Sequence, residues 1–238
     1  MPGRAGAARL RAGVPLVCLS ALVLAVGLAG CGGSSGNGIA TKAPAEILAA
    51  SRAAAMSATS VHVVSNASQG RLSFTSDLEL AGNGGRARIS LIGLTYEVIR
   101  IGSTLYVTGD RAFFGRFLPS TGRRVREGTW LRGSADTGRL AQLASFTYLN
   151  RELSRLLSGA GSLRKGATTT VGGLHAIELE QTTRLFTGTV YIATAEKPYP
   201  IQIIKRGRES GTTTFSGWDQ SVSLAAPAKA VPASELGL

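Results

Sequence analysis

The chain is nearly devoid of cysteine and histidine. Among 238 residues there are two of each. Both cysteines, Cys18 and Cys31, fall within the first 31 positions. The chain beyond Cys31 therefore has neither disulfides nor thiol chemistry, and it must stand on its apolar core. His62 and His175 are far apart, and neither has a further histidine, cysteine or acid at metal-ligand spacing. Each is expected as a partly buried strand residue, and no metal site is predicted. Gly82-Asn83-Gly84 lacks the following helix that a dinucleotide site needs. Gly32-Gly33-Ser34-Ser35-Gly36 spells a nucleophile elbow but has no strand before it and no helix after it. With no catalytic constellation and no cofactor motif, the sequence predicts a protein that is not an enzyme.

Acid is also scarce. Fourteen Asp and Glu face 26 Lys and Arg, a formal net charge of +12. Without the first 30 residues, which hold Arg4, Arg9 and Arg11, the charge is +9. Such an excess suits anionic lipid headgroups. The basic residues are scattered along hairpins, so nucleic acid is not expected as a partner.

The first residues carry a basic head and then, over 14–28, an uncharged run of apolar or small residues. As a helix it would span ~22 Å, short of the roughly 30 Å hydrocarbon core of a bilayer. That length suits a signal peptide better than a permanent span. The run ends in Leu28-Ala29-Gly30-Cys31, which resembles the lipobox of bacterial lipoproteins. In that class a diacylglycerol is attached to the cysteine sulfur and the peptide is cleaved just before it. The resemblance implies a signal peptide over 1–30, lipidation at Cys31 and a tether over 31–43, where Gly32 to Gly38 is Gly/Ser-rich. It places the protein on the extracytoplasmic face of the cell membrane. The remaining residues, 44–238, are enough for one domain of ordinary size.

Periodicity divides that domain. Residues 44–58 are alanine-rich, with Pro44 in a first turn and Ile47, Leu48, Ala54 and Ala55 on one helical face. In 71–80 the even positions carry Leu72, Phe74, Leu78 and Leu80 while the odd ones are polar, a strand with one buried face. Gly82 to Gly85 reads as a hairpin. Further strands are expected at 87–94, 96–101 and 104–108. The segment 136–158 reads as helical, with Leu149, Leu153, Leu156 and Leu157 on one side, Gly159 as its stop and a break near 146–148. Strands resume at 168–171, 174–181, 188–193, 199–205 and 212–218, and a coil from about residue 219 runs back over the domain. Tyr96, Val98, Ile99, Ile101, Leu105, Val107, Ile201, Ile203 and Ile204 put apolar groups on both parities. Such strands are buried on both faces or line a cavity.

This order of elements resembles the LppX/LprG family of actinobacterial lipoproteins, related in fold to LolA and RseB. Beside the lipobox, the resemblance rests on the strand pair 96–107, on Gly128-Thr129-Trp130-Leu131, and on Val190-Tyr191-Ile192-Ala193 before Lys197-Pro198-Tyr199-Pro200-Ile201. It continues through Thr214-Phe215-Ser216-Gly217-Trp218, Val222 and Ala226-Pro227. It implies an α+β fold: a curved antiparallel half-barrel with helices on its concave side and an apolar cavity between them. The residues expected to line that cavity are Leu72, Phe74, Leu91, Val98, Val107, Leu149 and Leu153. The implied function is binding and carrying lipids or lipidated glycans in the cell envelope. The alternative is an RseB-like tethered sensor with a membrane protein partner.

Overall fold

The computed structural model describes residues 36–122, 125–158 and 161–237. Cys31, the segment ahead of it and Gly159 lie outside the described residues. Ser34–Leu238 forms a compact unit.

Twelve strands make one sheet: β1 Ser60–Gln69, β2 Leu72–Ala81, β3 Gly84–Leu91, β4 Leu94–Ile101, β5 Thr104–Gly109, β6 Leu131–Ser134, β7 Ser162–Val171, β8 Leu174–Thr182, β9 Phe186–Ala193, β10 Pro200–Gly207, β11 Glu209–Ser216 and β12 Val231–Pro232. Their order across the sheet is β12-β6-β5-β4-β3-β2-β1-β11-β10-β9-β8-β7. Every pairing is antiparallel except β12 on β6. The edge strands β12 and β7 do not pair, so the curved sheet is an unclosed half-barrel.

Among the described residues three α-helices, α1 Pro44–Met56, α2 Arg111–Phe117 and α3 Leu149–Leu156, accompany the sheet, with 3-10 segments at Ile39–Thr41, Leu140–Thr147 and Ala233–Leu236. Glu46 Oε2 accepts the Ala43 N–H at 3.0 Å, satisfying a donor at the start of α1. Ile47, Ser51 and Ala55, four apart, face inward with Leu48, while Ala54 is only half-buried. Helix α2 is capped by Asp110, whose carboxylate accepts the Phe113 N–H at 2.6 Å. It buries Phe113 and Phe114, and Phe113 stacks on Tyr96 with centroids 4.8 Å apart. Burial there pushes the Tyr96 phenol up to about 12.

The structure corrects several sequence expectations. The sequence pattern predicts neither strands β1 and β6 nor helix α2. The strand expected at 87–94 starts at Gly84 and ends at Leu91, because the turn is Ile92-Gly93. The hairpin expected over Gly82 to Gly85 uses Gly82-Asn83 as its turn, and Gly84 and Gly85 are strand residues. A Cβ on Gly84 would come within 2.6 Å of Leu224 Cδ1, and one on Gly85 within 2.7 Å of the Thr147 carbonyl. One glycine thus admits the returning C-terminal tail and the next admits the 3-10 segment on the opposite face. Helical structure in 136–158 begins at Leu140 and breaks at Tyr148, within the expected break. The tail ends as β12 and a 3-10 turn rather than as coil alone.

Arg100 ties the helical cover to the sheet. It is 5% exposed. Its Nη2 donates to the Thr147 carbonyl at 2.9 Å and its Nη1 to the Gly102 carbonyl at 3.1 Å, while the guanidinium lies 4.1 Å from the Tyr148 ring centroid. Burial draws Arg100 below its ordinary range, against the pull of Tyr148 and Asp136.

Candidate functional site: a cleft at one end of the concave face

Cross-strand register arranges the concave face in rows. One row runs Val63, Leu78, Ala87, Val98, Val107 and Leu131, all buried. The next runs Leu179, Val190, Ile203, Thr213, Ser65, Ser76 and Ile89. The last, toward the β1–β2 hairpin end, runs Gln181, Gly188, Lys205, Gly211, Ala67, Phe74 and Leu91. In its middle Gly211 and Ala67 are neighbours, and Lys205 separates Gly211 from Gly188. Where neighbouring strands carry such small residues, the floor is low and space remains above it.

That space is a cleft of about 120 Å³ whose lining includes Ala67, Phe74, Ile203 and Lys205 from the sheet and Arg155 and Leu156 from α3. Its floor mixes apolar Ala67, Phe74 and Ile203 with the hydroxyls of Ser65 and Thr213. Ser65 Oγ and Thr213 Oγ1 are 3.0 Å apart. Beside it, the buried Ser76 Oγ and Gln181 Nε2 have no hydrogen-bond partner among the described residues. Glu152, 2% exposed, is held by Arg155, whose Nε donates to Oε2 at 2.9 Å and whose Nη2 donates to Oε1. Glu152 raises Arg155 above its ordinary value, against burial. Lys205 Nζ is 3.6 Å from Glu209 Oε2 and 4.3 Å from the Phe186 ring centroid. The arrangement can hold an apolar segment with a polar or anionic end, and it presents no activated nucleophile.

Of the residues expected to line a cavity, only Phe74 meets the cleft. It also stacks on Phe146, centroids 6.1 Å apart. Leu91 is half-buried against the core, while Val98, Val107, Leu149 and Leu153 are buried within it. Leu72 lies outside: it is 47% exposed at the β1–β2 tip, beyond the reach of the helical cover. Sequence reasoning missed Ala67, Lys205 and Arg155. Small residues at 67, 188 and 211 were the available signal.

On the convex face the structure adds a contact that sequence spacing concealed. His62 Nε2 is 2.7 Å from Asp77 Oδ1, and Ser216 Oγ is 3.3 Å from His62 Nδ1. The imidazole and carboxylate side chains are 41% and 44% exposed on an open sheet surface, where water competes for both. His175 is exposed rather than partly buried. Among the described residues no group of three or more His, Cys, Asp or Glu could hold a metal ion.

The opposite end of the sheet is closed by a polar clasp. Asp219 Oδ2 accepts from Lys197 Nζ at 2.8 Å and from Tyr199 Oη at 2.6 Å, and Asp219 Oδ1 accepts the Thr59 N–H at 2.8 Å. Lys197 is raised to about 12, first by Asp219 and then by Tyr199. The same partners hold Asp219 well below the usual carboxylate range. Close by, the described chain enters: the Asn37 N–H donates to the Thr194 carbonyl at 2.7 Å and Asn37 Nδ2 to the Ala193 carbonyl at 3.1 Å.

A curved, unclosed antiparallel sheet with helices against its concave side is the half-barrel of LolA-like proteins. Among solved structures, the crystal structure of LprF from Mycobacterium bovis shares it at 15% identity and a TM-score of 0.53, covering 78% of this chain and 97% of that one. Lipoprotein LppX of Mycobacterium tuberculosis is similar at 17% identity and a TM-score of 0.49, over 77% of this chain and 100% of that one. MucB gives a slighter likeness, 16% identity and a TM-score of 0.38, over 78% and 60%. No family model matches the chain, and no curated protein matches it in sequence. The likeness to LprF agrees with the fold implied by the LppX/LprG resemblance.

Proposed function

We propose that the protein is a membrane-anchored, extracytoplasmic lipoprotein that takes lipid acyl chains into the concave cleft. It carries or chaperones lipids or lipidated glycans in the cell envelope, and its action is binding without a catalytic step. The observation that carries this reading is the adjacent pair of small residues Gly211 and Ala67 beside the apolar Phe74, Ile203 and Leu156. Each methylene moved from water into such a site gains ~0.8 kcal/mol. A cavity of roughly 150 Å³ is needed for a ligand as small as benzene. The cleft measures about 120 Å³, so on this reading an acyl chain enters only with α3 displaced from β10 and β11.

The experiment is native mass spectrometry of the protein released from its own membranes, followed by organic extraction. The expected result is a mass excess that extraction removes as lipid, together with a diacylglyceryl adduct that is lost in Cys31→Ala. A bare domain accompanied by a co-purifying membrane protein would replace the carrier reading with a tethered sensor.

A further inference from the structure

Antiparallel register brings four hairpin tips to the cleft end of the sheet: Gly70-Arg71 between β1 and β2, Ile92-Gly93 between β3 and β4, Arg184-Leu185 between β8 and β9, and Arg208 between β10 and β11, with Arg206 near the end of β10. These hairpins are consecutive across the sheet. Their tips are also joined. The Ile92 N–H donates to the Ser73 carbonyl at 3.4 Å, Gln69 is the register partner of Glu209, and the Arg208 N–H donates to the Leu185 carbonyl at 3.0 Å.

The composition of this edge is one-sided. Arg71, Arg184, Arg206 and Arg208 are exposed, and no ion pair among the described residues engages them. The nearby acids are occupied: Glu209 faces Lys205, and Asp110 accepts the Phe113 and Thr95 N–H groups. Between the arginines stand Leu72, Ile92 and Leu185, which are 47%, 61% and 43% exposed. At the other end the tips Gly82-Asn83, Gly102-Ser103 and Gly172-Gly173 are uncharged, while the β9–β10 connection carries one acid and one base, Glu196 and Lys197, the latter paired with Asp219.

Ile92 is the most telling of these residues. Its φ is 51°, a left-handed conformation in which a β-branched side chain is strained. Asn or Gly is the usual choice at that turn position. An isoleucine held there without burial gains nothing for the fold, but it places four apolar carbons beyond the sheet edge.

We infer that this edge docks on an anionic bilayer surface, the four arginines among the headgroups and Leu72, Ile92 and Leu185 at the acyl boundary. The inference goes beyond lipid carriage and does not depend on the cleft's contents. It sets the mouth of the cleft against the bilayer, since Ala67 and Phe74 belong to the hairpin that carries Arg71 and Leu72.

The test is hydrogen exchange of the full chain, followed by mass spectrometry in three samples: phosphatidylcholine proteoliposomes, proteoliposomes of phosphatidylcholine and phosphatidylglycerol at a ratio of about 7:3, and the first sample with phosphatidylglycerol vesicles added. The expected result is slower exchange at all four tips in the second or third sample, with none at Gly172 to Leu174, and loss of the effect in high salt. Each arginine is expected to contribute about fivefold to docking, so replacing all four with glutamine lowers it more than roughly a hundredfold. Ile92→Asn relieves strain and should fold at least as well, yet dock more weakly. Tip exchange unchanged by phosphatidylglycerol, or slowed equally at both ends of the sheet, would overturn the inference. Lipid extraction from the same protein fails or succeeds independently, so the two readings are separable.

Discussion

Lys197 and Asp219 meet at 2.8 Å where the chain leaves β11, and Tyr199 closes the same carboxylate oxygen at 2.6 Å. Asp219 is in the left-handed region, at φ 59°. Its carboxyl is held well below the usual carboxylate range, first by Lys197, then by Tyr199 and the Thr59 N–H. A depressed carboxylate stabilises the fold above its unfolded pKa and loses that contribution as pH falls through the folded one. Asp219→Asn keeps a side chain that tolerates the backbone while removing the charge. Thermal melting should place the variant roughly 2–4 °C below the parent at pH 7. The gap should narrow progressively from about pH 4 downward.

Arg100 gives a second prediction. Its guanidinium is buried and donates to the Thr147 and Gly102 carbonyls while stacking on Tyr148. Arg100→Met removes these donors and leaves the buried Thr147 carbonyl unmatched, at a cost of about 1–3 kcal/mol. Lysine should recover little, because an ammonium lacks the planar fork that reaches both carbonyls and stacks on a ring. Urea denaturation of the two variants checks both statements.

The cleft and the core should respond in opposite ways. Ala67→Phe adds volume above the small-residue floor, so it should abolish displacement of a fluorescent fatty acid while costing less than about 1 kcal/mol of stability. Leu153 is fully buried, and Leu153→Ala should cost about 2–5 kcal/mol. Paired fatty-acid titrations and denaturation midpoints distinguish a cleft from a packed core. A large stability loss in Ala67→Phe would mean that the space above residue 67 is unable to open.

Much of the architecture was legible in sequence because burial wrote itself as a period. Strand β2 alternates Leu78 and Leu80 inward with Asp77 and Glu79 outward, and α3 repeats Leu149 and Leu153 at four. Strand β1 was hidden for a physical reason. After Val61 and Val63, its inward positions are Ser65 and Ala67, too small or too polar to register as an apolar face. The residues that hide the strand are also those that make room for the cleft, so a hydrophobic pattern was least informative where the candidate site lies. Helix α2, Arg111–Phe117, is too short to show a period, and only Asp110 marks its start. The meeting of His62 with Asp77 depends on register between separate strands, which residue spacing does not encode.

The Asn37 contact with Thr194 fixes a point of attachment. It lies at the Ala193 end of β9, whereas the arginine-bearing tips extend from the Phe186 end. Five residue steps separate Cys31 from Asn37's neighbour Gly36, a reach of at most ~18 Å. Strand β9 is ~27 Å long. A lipid at Cys31 would thus make the domain a lever pivoted at its attached end. On the proposed lipidation, the lever swung down would bring the cleft mouth to the bilayer. Swung upright, it would carry the cleft mouth ~45 Å outward, so that a single anchor point would serve two different surfaces in turn.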